Sequence, residues 1–188
     1  MIIRKTPTSS KDFFLELGGH IYLAPLYKEL GELVKNTQTL SQLGYLVKTG
    51  EVVWNQEKDK LCDEGTLLIY SSNFTKGELI LGNLKEPKKQ YIQGLTKTAL
   101  SGKSILINRG YGNTTYSING VLVDLPEYYC ENHVNVIRAT ENPKCSIETI
   151  HKSLQNQKTA EFIRSFVGNG ALSKTELEDC LPIWIDED

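Results

Sequence analysis

Hydrophobic positions change their spacing twice along the chain. Between residues 9 and 42 the spacing is helical: Lys11 to Leu17 reads as a short helix ending at Gly18-Gly19, and Ala24 to Lys35 sets Leu26, Leu30 and Leu33 on one stripe. From Leu46 to Ala139 the pattern shortens into β-branched and aromatic runs separated by turn residues. These runs are Val52-Val53-Trp54, Thr66 to Tyr70, Glu78 to Leu81, Tyr91-Ile92, Ser104 to Ile107, Tyr116 to Ile118, Val121 to Val123 and Val134 to Arg138. Ile118-Asn119-Gly120-Val121 places an Asn-Gly pair between two runs, which predicts a two-residue type I′ hairpin. Helical spacing returns at Ile147, Ile150, Leu154, Phe162, Ile163 and Phe166, with Ser146 as N-cap and Gly168 or Gly170 as the stop. Ser173-Lys174-Thr175-Glu176 has capping-box form, Pro182 stops the helix that follows, and Leu181 to Ile185 reads as an apolar strap. The pattern predicts an α+β fold with a twisted, mostly antiparallel, sheet-rich core. Residues 1–42 form an N-terminal helical segment packing on it, 43–140 the β-rich core, and 141–188 the C-terminal helices and strap, in one compact domain.

Composition agrees with a soluble globular chain: 188 residues, 39% hydrophobic and 23% charged. No apolar run approaches the roughly 20 residues that span a bilayer, and Met1 to Lys5 leads into polar Thr6 to Ser10 rather than an apolar signal core. No membrane association and a cytoplasmic location are expected. Cys62, Cys130, Cys145 and Cys180, with His20, His133 and His151, lack metal-ligand spacing, so no metal is expected. The net charge of -2 hides an asymmetry. Lys76, Lys85, Lys88, Lys89, Lys97, Lys103 and Arg109 face only Glu78 and Glu86 between Phe74 and Gly110, while Glu176 to Asp188 carries acids alone. A basic middle suits a phosphate-contacting surface and equally an ordinary solvated face.

Motifs for bond chemistry are wanting. Phe166-Val167-Gly168-Asn169-Gly170 has the F-x-G-x-G form that holds S-adenosylmethionine in amino-group methyltransferases, but it follows an amphipathic helix where such a loop needs a strand. The Pro-Pro-aromatic loop that would receive a flipped base is absent, Asn142-Pro143-Lys144-Cys145 being its nearest string. Glu57-Lys58-Asp59-Lys60 with Asp63-Glu64 falls short of a nuclease metal site. The chain is expected to be non-catalytic, with no catalytic, cofactor or metal residues of its own.

Binding chemistry is better represented. Thr49 to Lys60 combines a turn at Gly50, a strand anchor at Val52-Val53, and then Trp54, Asn55, Gln56, Lys58 and Lys60. Asn and Gln bridge adenine bidentately, and Lys suits phosphate or guanine. An ordinary hairpin around a core tryptophan has the same composition. Asn108-Arg109-Gly110-Tyr111-Gly112-Asn113 is a second loop of this kind. In Glu131 to Val136 the alternation points His133 and Asn135 to one face and Val134 and Val136 to the other.

Thr49 to Gln56 with Lys58 and Leu61, then Glu131 to Ile137, then Ala171 to Leu177 before Leu181-Pro182, together resemble the C-terminal target-recognition domain of adenine-specific DNA methyltransferases of restriction-modification systems. Order and spacing match over about residues 40 to 183, and the helices are similar to those of type I specificity subunits. The resemblance implies sequence-specific recognition of double-stranded DNA, and a methyltransferase domain or subunit as partner that binds S-adenosylmethionine, this chain holding no cofactor. It assigns Lys58, Lys60, Lys76, Lys88 and Lys89 to phosphates and Asn55, Gln56, Arg109, Asn113, His133 and Asn135 to the grooves. Trp54 supports the loop, and Thr49, Trp54 and Asn108 are expected DNA-binding residues as well. The sequence departs from the family by lacking the cofactor-binding and catalytic half, as an excised fragment, a separate subunit or a degraded gene product would. A restriction endonuclease fragment and a non-catalytic protein-interaction module are the alternatives.

Overall fold

The structure is a computed structural model that describes residues 14–17, 19–23, 31–75, 77–109, 116–118, 120–167 and 172–185. Its centre is a seven-stranded sheet made of β3 (Tyr45–Thr49), β4 (Leu61–Cys62), β5 (Thr66–Ile69), β8 (Tyr91–Ile92), β9 (Leu100–Asn108), β10 (Gly120–Cys130) and β11 (Val134–Ala139), in the order β3-β11-β9-β10-β5-β8-β4. Every pairing is antiparallel except that of β10 with β5. Two small hairpins, β1 (Phe14–Leu17) with β2 (His20–Leu23) and β6 (Phe74–Thr75) with β7 (Glu78–Leu79), stand outside it. The fold is α+β, as the hydrophobic pattern predicts.

Alternation on the long strands divides the core. Ile105, Ile107, Ile137, Tyr45 and Val47 pack against α1 (Ile147–Leu154), α2 (Gln157–Phe162) and the π-helical turns Ile163–Val167 and Glu176–Cys180. Leu106, Val134 and Val136 point the other way, into a cluster with Val121, Val123, Tyr128 and Ile69. β10 and β11 both run antiparallel to β9, one on each side, with only Glu131 to His133 between them. So short a connection requires a strongly coiled sheet. The coil comes where the β9–β10 register shifts between Leu125 and Tyr128, a stretch that holds Pro126, which donates no ladder hydrogen bond; Gly102, paired with Leu125, takes φ +79°.

The C-terminal zone follows its capping signals. Ser146 Oγ accepts from Thr149 N–H, and the Ser173–Glu176 box closes in both directions at 2.7 and 3.2 Å. The run expected as one helix is broken at Gln155-Asn156, because the Asn156 side chain accepts from Lys158 N–H and starts a second helix. Trp184 in the strap donates from Nε1 to the Leu33 carbonyl, and Ile183 bridges Gln38. Glu178 accepts from Val47 N–H at 3.0 Å, covering the open edge of β3.

Two local expectations are corrected. Phe14–Leu17 is a strand paired with His20–Leu23, not the end of a helix, because Gly19 at φ +78° turns the chain back on itself. Of the stripe over Ala24 to Lys35, residues 31–33 are helical and 24–30 lie outside the described residues. Gly120 is already inside β10, opposite Ile107, so it cannot be the second residue of a two-residue turn; the β9–β10 connection is the longer segment 109–119.

Gly50 makes the closest backbone approach. A Cβ there would lie 2.1 Å from the Glu131 carbonyl and 2.5 Å from that of Cys130. Gly50→Ala is therefore expected to cost about 3 kcal/mol or more, read as a lowered urea midpoint. A second expectation concerns pH. Burial, reinforced by the neighbouring Cys145 and Glu148, pushes the Tyr45 phenol from its usual 10.0 up to about 12, and its hydroxyl donates to the Cys145 carbonyl. A raised pKa in the folded state means that this stabilisation is complete below pH 10 and lost as pH rises towards 12. The loss is on the order of 2 kcal/mol, and Tyr45→Phe should remove that share of the alkaline transition in a pH series of denaturation curves.

Candidate nucleic-acid interface

The two sequence strings that bracket the core are brought into direct backbone contact. Tyr45–Thr49 pairs with Asn135–Ala139, and the chain continues beyond β3 to run beside Glu131. Gly50 N–H donates to Val134 O at 2.8 Å, Val52 N–H to Cys130 O at 3.2 Å, and Asn132 N–H to Val52 O at 3.0 Å. The end of β9 joins them, since Arg109 N–H donates to His133 O at 2.9 Å and the Arg109 guanidinium to Asn132 O at 3.2 Å. Asn108 Nδ2 donates to Ser71 O, linking the end of β5. Four segments distant in sequence thus share one edge.

A 3₁₀ turn, Trp54–Gln56, leaves this edge with Asn55 and Gln56 exposed, and a second, Lys58–Lys60, follows. Lys88 Nζ lies 5.0 Å from the Trp54 ring centroid and 4.7 Å from that of Tyr70, while Lys58 Nζ lies 5.7 Å from Trp54. Such cation–π contacts hold a lysine head in place while leaving donors outward. Lys88 is brought there by a buried polar network. Gln90 Nε2 donates to Leu68 O, its Oε1 accepts from Gly82 N–H, Asn73 Nδ2 donates to Ile80 O, and the Tyr70 hydroxyl donates to Lys89 O at 2.8 Å.

Beneath these groups sits Glu131, 1% exposed. Its Oε1 accepts from Ser71 N–H and Ser71 Oγ, both at 2.6 Å, and its Oε2 faces Lys88 Nζ and His133 Nδ1, each at 3.9 Å. The sequence marked Glu131 only as part of a string. A buried charge has no signature in the pattern, and only the pairing of Val52 with Glu131 places it.

Expected contacts divide into four groups. Trp54, Asn55, Gln56, Lys58, Lys88, Asn108, Arg109 and His133 lie on or around the shared edge. Lys60 is paired with Glu57 at 2.7 Å and Lys89 with Asp63 at 2.9 Å, so both cations have local partners. Asn135 departs from expectation: it is 0% exposed, and its Oδ1 accepts from Thr49 Oγ1 at 3.0 Å. Asn135 lies opposite Ile107 on the face that also carries Ile137 and packs against the C-terminal helices, so the face that alternation assigned to solvent is covered, and Asn135 and Thr49 form an internal pair rather than a groove contact. Lys76 and Asn113 lie outside the described residues. A separate cleft of about 310 Å³ flanks β3, lined by Lys48, Glu51, Thr98, Tyr129 and Arg138 among others.

Among the described residues no cluster of His, Cys, Asp or Glu is placed to hold a metal ion, and no helix is long and apolar enough to cross a membrane. The F-x-G-x-G string begins in the π-helical turn that extends α2, where Phe166 stacks on Phe162 at 5.0 Å, and Gly168 to Gly170 lie outside the described residues.

The shared edge gathers the exposed amides Asn55 and Gln56 with the cations Lys58, Lys88 and Arg109. No family model matches the chain, and no solved structure matches it. It is similar to the Type II methyltransferase M.CvrRI of Paramecium bursaria Chlorella virus XZ-6E, with 29% identity over 97% of this chain. The chain spans less than half of that relative, 46% of its length.

Thr49→Val tests the internal pair. It deprives the buried Asn135 of its hydrogen bond and is expected to cost about 1–2 kcal/mol, as a lower urea midpoint at unchanged slope.

Proposed function

We propose that this chain is the sequence-recognition part of a restriction-modification DNA methyltransferase specific for adenine, gripping duplex DNA and positioning a methyltransferase domain or subunit that binds S-adenosylmethionine. One observation carries the reading: the two strings that resemble target-recognition domains, some eighty residues apart, form a single edge that gathers amides, cations and rings. Similarity to a type II methyltransferase along nearly the whole chain supports it.

The division of labour follows from exposure. Asn55 and Gln56 stand clear of the edge on a short turn, where side-chain amides can meet adenine N6 and N7. Arg109 reaches from the end of β9, its backbone held by His133 and its guanidinium resting on Asn132 O with donors to spare for guanine or phosphate. Lys58 and Lys88, braced on Trp54, suit phosphate contacts that fix register without reading sequence. Lys60 and Lys89 would have to exchange a carboxylate for a phosphate, so their share of the affinity is smaller.

Selection from a randomised duplex pool at two salt concentrations, followed by sequencing, tests the reading. Enrichment of a short motif, with affinity falling as salt rises, is the expected result. Absence of any duplex binding would overturn it in favour of a protein-interaction module. On the enriched duplex, Arg109→Ala should relax preference by about 1–3 kcal/mol at one base pair, whereas Lys58→Ala should weaken all sequences alike.

A further inference from the structure

Among the described residues Glu131 is the one buried residue with a formally charged side chain. Its two oxygens are treated unequally. Oε1 takes both Ser71 donors, whereas Oε2, buried as well, receives no hydrogen bond and is aimed at Lys88 Nζ and His133 Nδ1. Holding Ser71 requires one neutral acceptor, which a glutamine would supply. A second, unsatisfied carboxylate oxygen costs folding free energy. Its geometric consequence is outward: Lys88, 22% exposed in its side chain, is drawn between the faces of Trp54 and Tyr70, and His133, 41% exposed, is drawn towards the same point.

We propose that Glu131 is a positioning residue for the recognition edge, its buried charge locking Lys88 in the Trp54–Tyr70 slot and holding His133 beside it, so that both present donors to DNA from fixed places. The proposal deepens the DNA-recognition reading and rests on it. Lysine carries three donors on a flexible four-carbon stem. Anchoring the head on an anion and two rings spends that freedom during folding, so less is lost when a phosphate is met. The Glu131 carboxylate itself touches no DNA; it acts through Lys88 and His133.

The test is a double-mutant cycle between Glu131→Gln and Lys88→Met in the full chain, read in two ways. Glutamine keeps an acceptor for Ser71 but turns an amide rather than an anion towards Lys88. In a Trp184→Phe background Trp54 is the only indole, so its emission reports whether Lys88 occupies the slot. Each single variant should shift that emission alike, and the double variant no further. On the enriched duplex each single variant should lose about tenfold in affinity and lower the salt slope by about one, with the double variant equal to Lys88→Met alone. Additive effects on emission and affinity, or an unchanged emission and slope in Glu131→Gln, would overturn the proposal and leave Glu131 a structural acceptor for Ser71. Should Glu131→Gln not fold, Glu131→Asp withdraws the charge by one methylene and enters the same cycle. If the unsubstituted chain binds no duplex, the DNA reading fails, and with it the role in recognition, while the emission cycle still decides whether Glu131 holds Lys88.

Discussion

Everything at the proposed interface depends on the backbone contact between Gly50–Val52 and Cys130–Val134. Three hydrogen bonds make it: Gly50 to Val134, Val52 to Cys130 and Asn132 to Val52. The approach is so close that only a residue without a Cβ fits at position 50. Without that contact, β3 would simply end at Thr49 as an edge strand. With it, the chain beyond β3 is carried across the β10–β11 connection, so that Trp54 and the 3₁₀ turns follow directly from the same edge. The coil of the sheet is the other half of the constraint, since β10 and β11 flank β9 with three residues between them.

Once that edge exists, its polar groups sort by burial. Thr49 donates to Asn135 Oδ1 inside while Asn135 Nδ2 stays buried without a partner among the described residues, Gln90 and Asn73 spend their amides on the backbone of β5 and of the 80–90 loop, and Glu131 is left with one oxygen for the surface cations. Buried amides of this kind are rarely interchangeable, because each lost bond leaves a partner stranded in a poorly solvated place. The loop that carries Lys88 and Lys89 is thus placed by neutral hydrogen bonds from below and by rings from above. Its position does not require the long-range field that the cluster of lysines in the sequence suggests.

Much of the scaffold was legible in the chain. The onset of short apolar runs near residue 46, the Ser146 cap and the Ser173–Glu176 box all have local causes, and all appear where those causes act. What was illegible depended on pairing between distant segments. Phe14–Leu17 has helix-compatible spacing, yet a glycine turn and a partner strand decide its form. The Asn119-Gly120 dipeptide satisfies a hairpin rule, but β9 is long enough to pair through Gly120 and override it. Period-two reasoning separated Asn135 from Val134 correctly, but it cannot tell that both faces of this strand are covered, one by the C-terminal helices. Of the candidate site, the rings, amides and cations at the rim were readable as types. Glu131 and Gln90, which hold them in place, were not, because a buried polar residue looks like any other until its partners are known.

The charge asymmetry takes on a different weight in this setting. Lys60, Lys89 and Lys103 of the basic middle and its approaches are each matched within 3 Å by Glu57, Asp63 and Glu148. Those pairs are local and screened, and each cancels most of the field its lysine would project beyond a Debye length. Among the described residues around the edge, three cations are placed by rings, a carbonyl and a buried carboxylate: Lys58 on Trp54, Lys88 on Trp54 and above Glu131, and Arg109 on Asn132. A surface of that kind has little steering power and a precise geometry. On the DNA-recognition reading proposed above, it suits a module delivered to its site by a larger assembly and asked to discriminate once there, better than one that must find a duplex by electrostatic attraction alone.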